Sequence, residues 1–168
     1  GHGGHEYEGT VTRIALNDGR GKFKKKIKLP EGGGYWGTVP EVSFWDLDKD
    51  GDLDIVVSRA GELYVGTGVQ VIENLGENKF NSKFYILVDP PKDYVPKHEG
   101  NEWNSFVDQV RFSDLDKDNL TDIVLIRPGS LKLKAGSILK NEGGMNFKHI
   151  KYKETGNPIK IVDDKMYK

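Results

Sequence analysis

The sequence predicts an all-β chain, a partial β-propeller of about 2.5 four-stranded antiparallel blades. Three observations carry that expectation. The first is an internal repeat: residues 42–57 (VSFWDLDKDGDLDIVV) and 110–125 (VRFSDLDKDNLTDIVL) are identical at ten of sixteen positions, at an offset of 68. The second is a turn element that occurs three times, as Ile14–Asn17 before DGRGKF, Val71–Asn74 before LGENKF and Ile138–Asn141 before EGGMNF. The third is composition: 21 of 168 residues are glycine, against a usual ~7%, and no long helical periodicity is present. Turn and Asp elements alternate along the chain, so the repeat is about 57–68 residues long and the chain starts partway through one unit.

Each complete unit reads as four strands. Val42 and Phe44 alternate with Ser43 and Trp45, the period-2 pattern of a half-buried strand, and Val110 and Phe112 repeat it. A second, β-branched strand follows each Asp cluster, from Asp54 and from Asp122. The third strand is expected over 68–74 and 135–141, ending in a glycine-bearing turn. The fourth follows each closing phenylalanine, Phe23, Phe80 or Phe147. In the first unit that strand runs Phe23–Leu29, and Lys24, Lys26 and Lys28 on one face mark it as an exposed outer edge. The units are a half blade at 8–30 and blades at 38–90 and 104–155, with 156–168 a tail or the start of a further unit. Segments 89–103 and 128–136 read as loops. A propeller needs ~4–8 blades, so other chains or a missing segment are expected to complete the ring.

The Asp clusters carry the chemistry. Asp46, Asp48, Asp50 and Asp54 stand at loop positions 1, 3, 5 and 9, with the backbone carbonyl of Asp52 available at position 7. Asp114, Asp116, Asp118 and Asp122 repeat the set, with Leu120 at position 7. Ca²⁺ takes ~6–8 oxygens, which four carboxylates, a carbonyl and water can supply, so two calcium sites are expected. Without a cation such a cluster would repel itself. Position 6 must turn sharply and is Gly51 or Asn119, the residue types that best tolerate positive φ. An EF-hand would need a bidentate Glu at position 12 and an exiting helix, but that position is Val57 or Leu125 inside a β-branched run. Mg²⁺ fits less well, because it keeps more of its water. Carboxylates saturated by a structural ion make poor acids or bases, so no catalytic role is expected of them.

Asp-x-Asp-x-Asp-Gly-x-x-Asp-Ile between short strands, followed by an Asn-x-Gly…Phe hairpin, resembles the FG-GAP/VCBS repeats of integrin-α-like calcium-binding β-propellers. The resemblance extends from about Gly9 to Tyr152. It implies calcium held between the first and second strands of a blade. It also implies an extracellular or cell-surface protein serving adhesion, ligand binding or attachment of a catalytic domain. Trp36-Gly37 stands loosely where the family has Phe-Gly, and Asn119 replaces the loop glycine of the second unit.

Other features point less far. Tyr35, Trp36 and Trp103 lie in the loops entering each unit, where aromatics either bind a carbohydrate or protein ligand or pack between blades. His2, His5 and Glu6 could hold a transition metal or be a terminal scar. With no cysteine, thiol catalysis and Cys-based metal sites are excluded. Lys+Arg (25) balances Asp+Glu (26), so nothing points to nucleic acid, and no apolar run is long enough for a membrane span. The sequence shows no triad spacing, nucleophile elbow or helical His-Glu-x-x-His, so it is read as non-enzymatic. The chain does not begin with Met and carries no signal segment, which suggests processing or a longer parent. The functional expectation is a secreted calcium-binding module for recognition, adhesion or assembly. The alternatives are an accessory part of a secreted polysaccharide-active enzyme, and a subunit of a self-assembling ring or filament.

Overall fold

The computed structural model describes residues 12–31, 36–61, 66–88, 107, 109–126 and 137–151. Among them are ten β-strands and no helix: β1 (Arg13–Leu16), β2 (Lys25–Lys28), β3 (Thr38–Trp45), β4 (Asp54–Ala60), β5 (Thr67–Asn74), β6 (Phe80–Val88), β7 (Gln109–Ser113), β8 (Asp122–Ile126), β9 (Ser137–Asn141) and β10 (Phe147–Lys151). They form three antiparallel meanders, β1-β2, β3-β4-β5-β6 and β7-β8-β9-β10, and no sheet closes into a barrel. The half blade and two complete blades of the repeat are therefore present as propeller-like sheets. The first outer strand is shorter than expected, and Phe23 stands 52% exposed just before it.

Register decides which face each residue joins. Phe44 pairs with Ile55 and Ile55 with Ile72, so these three share one face of the second sheet. Val56 and Val71 pair on the opposite face. Ile55, Val57 and Ile72 are buried with Leu29 and packed against by Ile14, so the half blade covers the first face. On the other face Leu47, Val56, Val69 and Val71 form one core with Val110, Phe112, Ile123, Leu125 and Leu139 of the third sheet. Gly68 makes the first face close-packed: a Cβ there would lie 2.5 Å from the Phe84 ring.

Polar contacts fix the stacking. Glu41 on β3 accepts a bond from the backbone N–H of Val110 on β7 at 2.7 Å, covering an edge-strand donor. Trp45 stacks on Phe112 with ring centroids 5.2 Å apart. Towards the outside, Lys83 on β6 donates to the Asn146 side chain at 2.6 Å, and Tyr85 meets Phe147 edge-on. Between the half blade and the second sheet, the buried Arg59 guanidinium donates to Gln70 Oε1, the Trp36 carbonyl and Thr12 Oγ1. Burial holds its pKa below the usual guanidinium range.

The repeat contains its own control. Val42 and Phe44 of β3 are 42% and 55% exposed, whereas their equivalents Val110 and Phe112 of β7 are 3% and 9% exposed. The alternation seen in the sequence therefore buries side chains on β7, while on β3 the same positions face solvent and Glu41 and Ser43 are half-buried. The difference lies in the neighbour: β7 has a complete sheet beside it, and β3 has only an outer hairpin. Phe112→Ala should accordingly cost about 3–5 kcal/mol of unfolding free energy in urea denaturation. Phe44→Ala should stay within about 0.5 kcal/mol. Equal losses at the two positions would contradict this stacking order.

Candidate metal centre

Each Asp loop is a nine-residue excursion between an inner strand and the next, and left-handed backbone makes it compact. Position 6 has φ 95° at Gly51 and 71° at Asn119, as the residue types predict. Position 4 is left-handed as well, φ 66° at Lys49 and 63° at Lys117, and nothing in a lysine announces that. The turns aim backbone N–H groups at the first carboxylate: Gly51 donates to Asp46 at 3.2 Å and Asn119 to Asp114 at 2.9 Å. Position 5 accepts from position 7, Asp52 to Asp50 at 2.8 Å and Leu120 to Asp118 at 2.9 Å.

Two sets of carboxylates converge. Ligand oxygens of Asp46, Asp48 and Asp50 lie within 4.8 Å of one another, as do those of Asp114, Asp116 and Asp118. Asp54 and Asp122 at position 9 are outside these two side-chain sets. The position-9 carboxylates are buried clamps. Asp54 accepts from the N–H of Leu47 and of Asn74, each at 2.9 Å. Asp122 accepts from Leu115 at 3.0 Å and Asn141 at 2.9 Å. One carboxylate thus ties the end of the first strand to the end of the third.

The recurring Asn completes this arrangement, a role the sequence reading missed although the residue recurs in all three turn elements. Its Oδ1 accepts from the glycine two residues on, at Gly19, Gly76 and Gly143. Its Nδ2 donates to the carbonyl at loop position 8, Leu53 for Asn74 and Thr121 for Asn141.

The loops differ in electrostatics. In the first, Asp46 Oδ1 is buried without a hydrogen-bond partner. Burial pushes the Asp48 carboxyl up, and the charges of Asp50, Asp46 and Glu73 push it further. In the second, Lys140 donates to Asp116 and lies 3.6 Å from Asp118. That pairing holds Asp116 below the usual carboxylate range and raises Lys140. Glu73 and Lys140 occupy the same place in the repeat with opposite charge, a difference readable at an offset of 67. The loops are neighbours, since Lys49 Nζ donates to the Asn119 carbonyl.

These donors fit a hard divalent cation. All are oxygens, and one buried carboxylate oxygen in the first loop has no protein donor. Among the aromatic candidates, Trp36 is buried and packs at a tilt against Phe84, ring centroids 5.5 Å apart. Tyr35 and Trp103 lie outside the described residues, as do His2, His5, Glu6 and the tail at 156–168.

The sign of the metal-free pH response follows from Asp48. Its folded pKa is raised, so between the unfolded value and the raised one the native state binds more protons, and stability falls as pH rises through that window. Asp48→Asn should therefore raise the thermal midpoint in chelator at pH 7, and the gain should vanish as pH falls through the window. In saturating calcium the same substitution should lower the midpoint. A loss in chelator at pH 7 would contradict the cost of burying the charged Asp48 among its acidic neighbours.

A family model described as an FG-GAP-like repeat matches residues 6–57, a span that includes β1 to β3, the first Asp loop and the start of β4. No curated protein and no solved structure matches the chain. The second Asp element repeats the matched one at ten of sixteen positions and builds the same hairpin. Residues 6–57 carry an FG-GAP-like repeat, and the chain is a β-propeller-like module.

Proposed function

We propose that this chain is a non-catalytic calcium-binding β-propeller module that works outside the cell in recognition, adhesion or assembly. The observation that carries the reading is the first loop: three converging carboxylates, one oxygen of them buried without a donor. A divalent cation supplies what that oxygen lacks and offsets the burial and the neighbouring charges that raise Asp48. Calcium is favoured over magnesium because the shell is carboxylate-rich and set on an irregular loop. The carboxylates hold an ion and brace strands, so no proton-transfer role is left for them. Affinity of ~10⁻⁴–10⁻³ M, the range of extracellular calcium modules, suffices in a calcium-rich compartment and supports the extracellular reading. Among the described residues, no helix is long and apolar enough to cross a membrane.

The sites should be unequal. Glu73 adds negative charge beside the first loop, whereas Lys140 already neutralises part of the second. Calorimetric titration of chelator-treated protein should resolve about two sites, the tighter one lost in Asp46→Ala and the weaker in Asp114→Ala. Lys140→Gln should tighten the weaker site and leave the other unchanged. No binding, or one site that survives both alanine substitutions, would overturn the reading.

A further inference from the structure

We infer that the two Asp loops are coupled, so that filling the first tightens the second. Lys49 and Asn141 are the positioning residues that carry the coupling. The inference rests on reading both loops as calcium sites, and it adds that they answer to calcium together.

Three contacts join the first loop to the third sheet and its loop. Lys49 Nζ, from position 4 of the first loop, donates to the carbonyl of Asn119 at position 6 of the second. Asn141 Nδ2 divides its two protons between the loops. It gives one to the carbonyl of Leu47, position 2 of the first, at 3.2 Å, and one to that of Thr121, position 8 of the second, at 3.1 Å. The equivalent Asn74 donates to Leu53 of its own blade. The Leu47 side chain, 1% exposed, lies in one core with Phe112, Ile123 and Leu139 of the third sheet.

The sign of the coupling follows from where these groups stand. Leu47 lies between Asp46 and Asp48, and Lys49 between Asp48 and Asp50, so both linkers alternate with the first set of converging carboxylates. Holding those carboxylates on one cation fixes the Leu47 carbonyl and the left-handed backbone of Lys49, φ 66°. On the far side the acceptors Asn119 and Thr121 flank Leu120, the position-7 residue of the second loop. Part of the order that the second loop needs is then in place before its own ion arrives, which is positive cooperativity carried through the backbone. Repulsion between two dications opposes it. Both loops are exposed, however, and at physiological ionic strength such charges are screened over ~8 Å, whereas the hydrogen bonds act by contact.

Calcium calorimetry on the full chain at physiological ionic strength tests the coupling. Its measure is the affinity of the second loop with the first intact, divided by its affinity when Asp46→Ala has disabled the first. That factor should be about fivefold or more in the unaltered chain. Lys49→Met, a change at an exposed side chain, should cut it about twofold or more, and adding Asn141→Ala should bring it close to one. Asn74→Ala breaks the equivalent bond inside one blade and should leave the factor unchanged. In chain labelled with ¹⁵N, the side-chain amide of Asn141 should shift as the first loop fills and again as the second fills, and that of Asn74 with the first alone. Two sites that bind with a factor near one, or an Asn141 amide that answers only to the second loop, would overturn the coupling and leave the calcium sites standing. No binding at all would overturn both.

Discussion

One buried carboxylate ties the corner of each four-stranded sheet. Asp54 and Asp122 sit at the start of the second strand, wholly out of solvent, and spend both oxygens on backbone N–H groups of the strands either side. Bonds to an ionised acceptor are about twice as strong as neutral ones. Burial still wins at Asp54, whose carboxyl is pushed up by desolvation despite the two donors. The clamp has a geometric consequence. By pinning loop position 2 and the end of the third strand, it leaves the carboxylates at positions 1, 3 and 5 little choice but to face one another. The convergence of the three carboxylates thus goes with the way the sheet corner is tied.

Stacking supplies the second constraint. A four-stranded meander has two faces, and both need cover, because each large apolar side chain left in water forgoes roughly 1.5–3 kcal/mol. The second sheet meets that need fully on the side of the third sheet and partly on the side of the half blade. Arg59 and Gln70 make the half-blade junction polar at its far end, so this interface is held in register by hydrogen bonds as well as by contact area. The chain behaves as a section of a repeat array, in which each unit relies on its neighbour.

Much of this could be read in the sequence because the repeat is its own alignment. Comparing VSFWDLDKDGDLDIVV with VRFSDLDKDNLTDIVL fixes the strand pair, the loop and the positive-φ position occupied by Gly51 and Asn119. Lysines on β2 marked an outer edge correctly. Periodicity could not tell that Val42 and Phe44 face solvent while Val110 and Phe112 do not. Local sequence is the same in both units, and only the neighbouring sheet differs. The role of position 9 was hidden for a related reason. The letter Asp does not announce that its two oxygens will also accept from two backbone amides, and only the fold shows which donors reach it. Lys140 escaped notice because it lies 24 residues from Asp116 and meets it only through the β8–β9 pairing.

The central claim is that the position-9 carboxylate holds the blade together through the backbone, with or without metal. Denaturant unfolding of Asp54→Ala in chelator tests it most directly. Two buried donors, the N–H groups of Leu47 and Asn74, would lose their acceptor, at about 1–3 kcal/mol each. The account predicts a loss of at least ~2 kcal/mol in the absence of calcium. A substitution that is neutral in chelator and costly only in calcium would contradict it, and would make Asp54 a metal ligand before anything else.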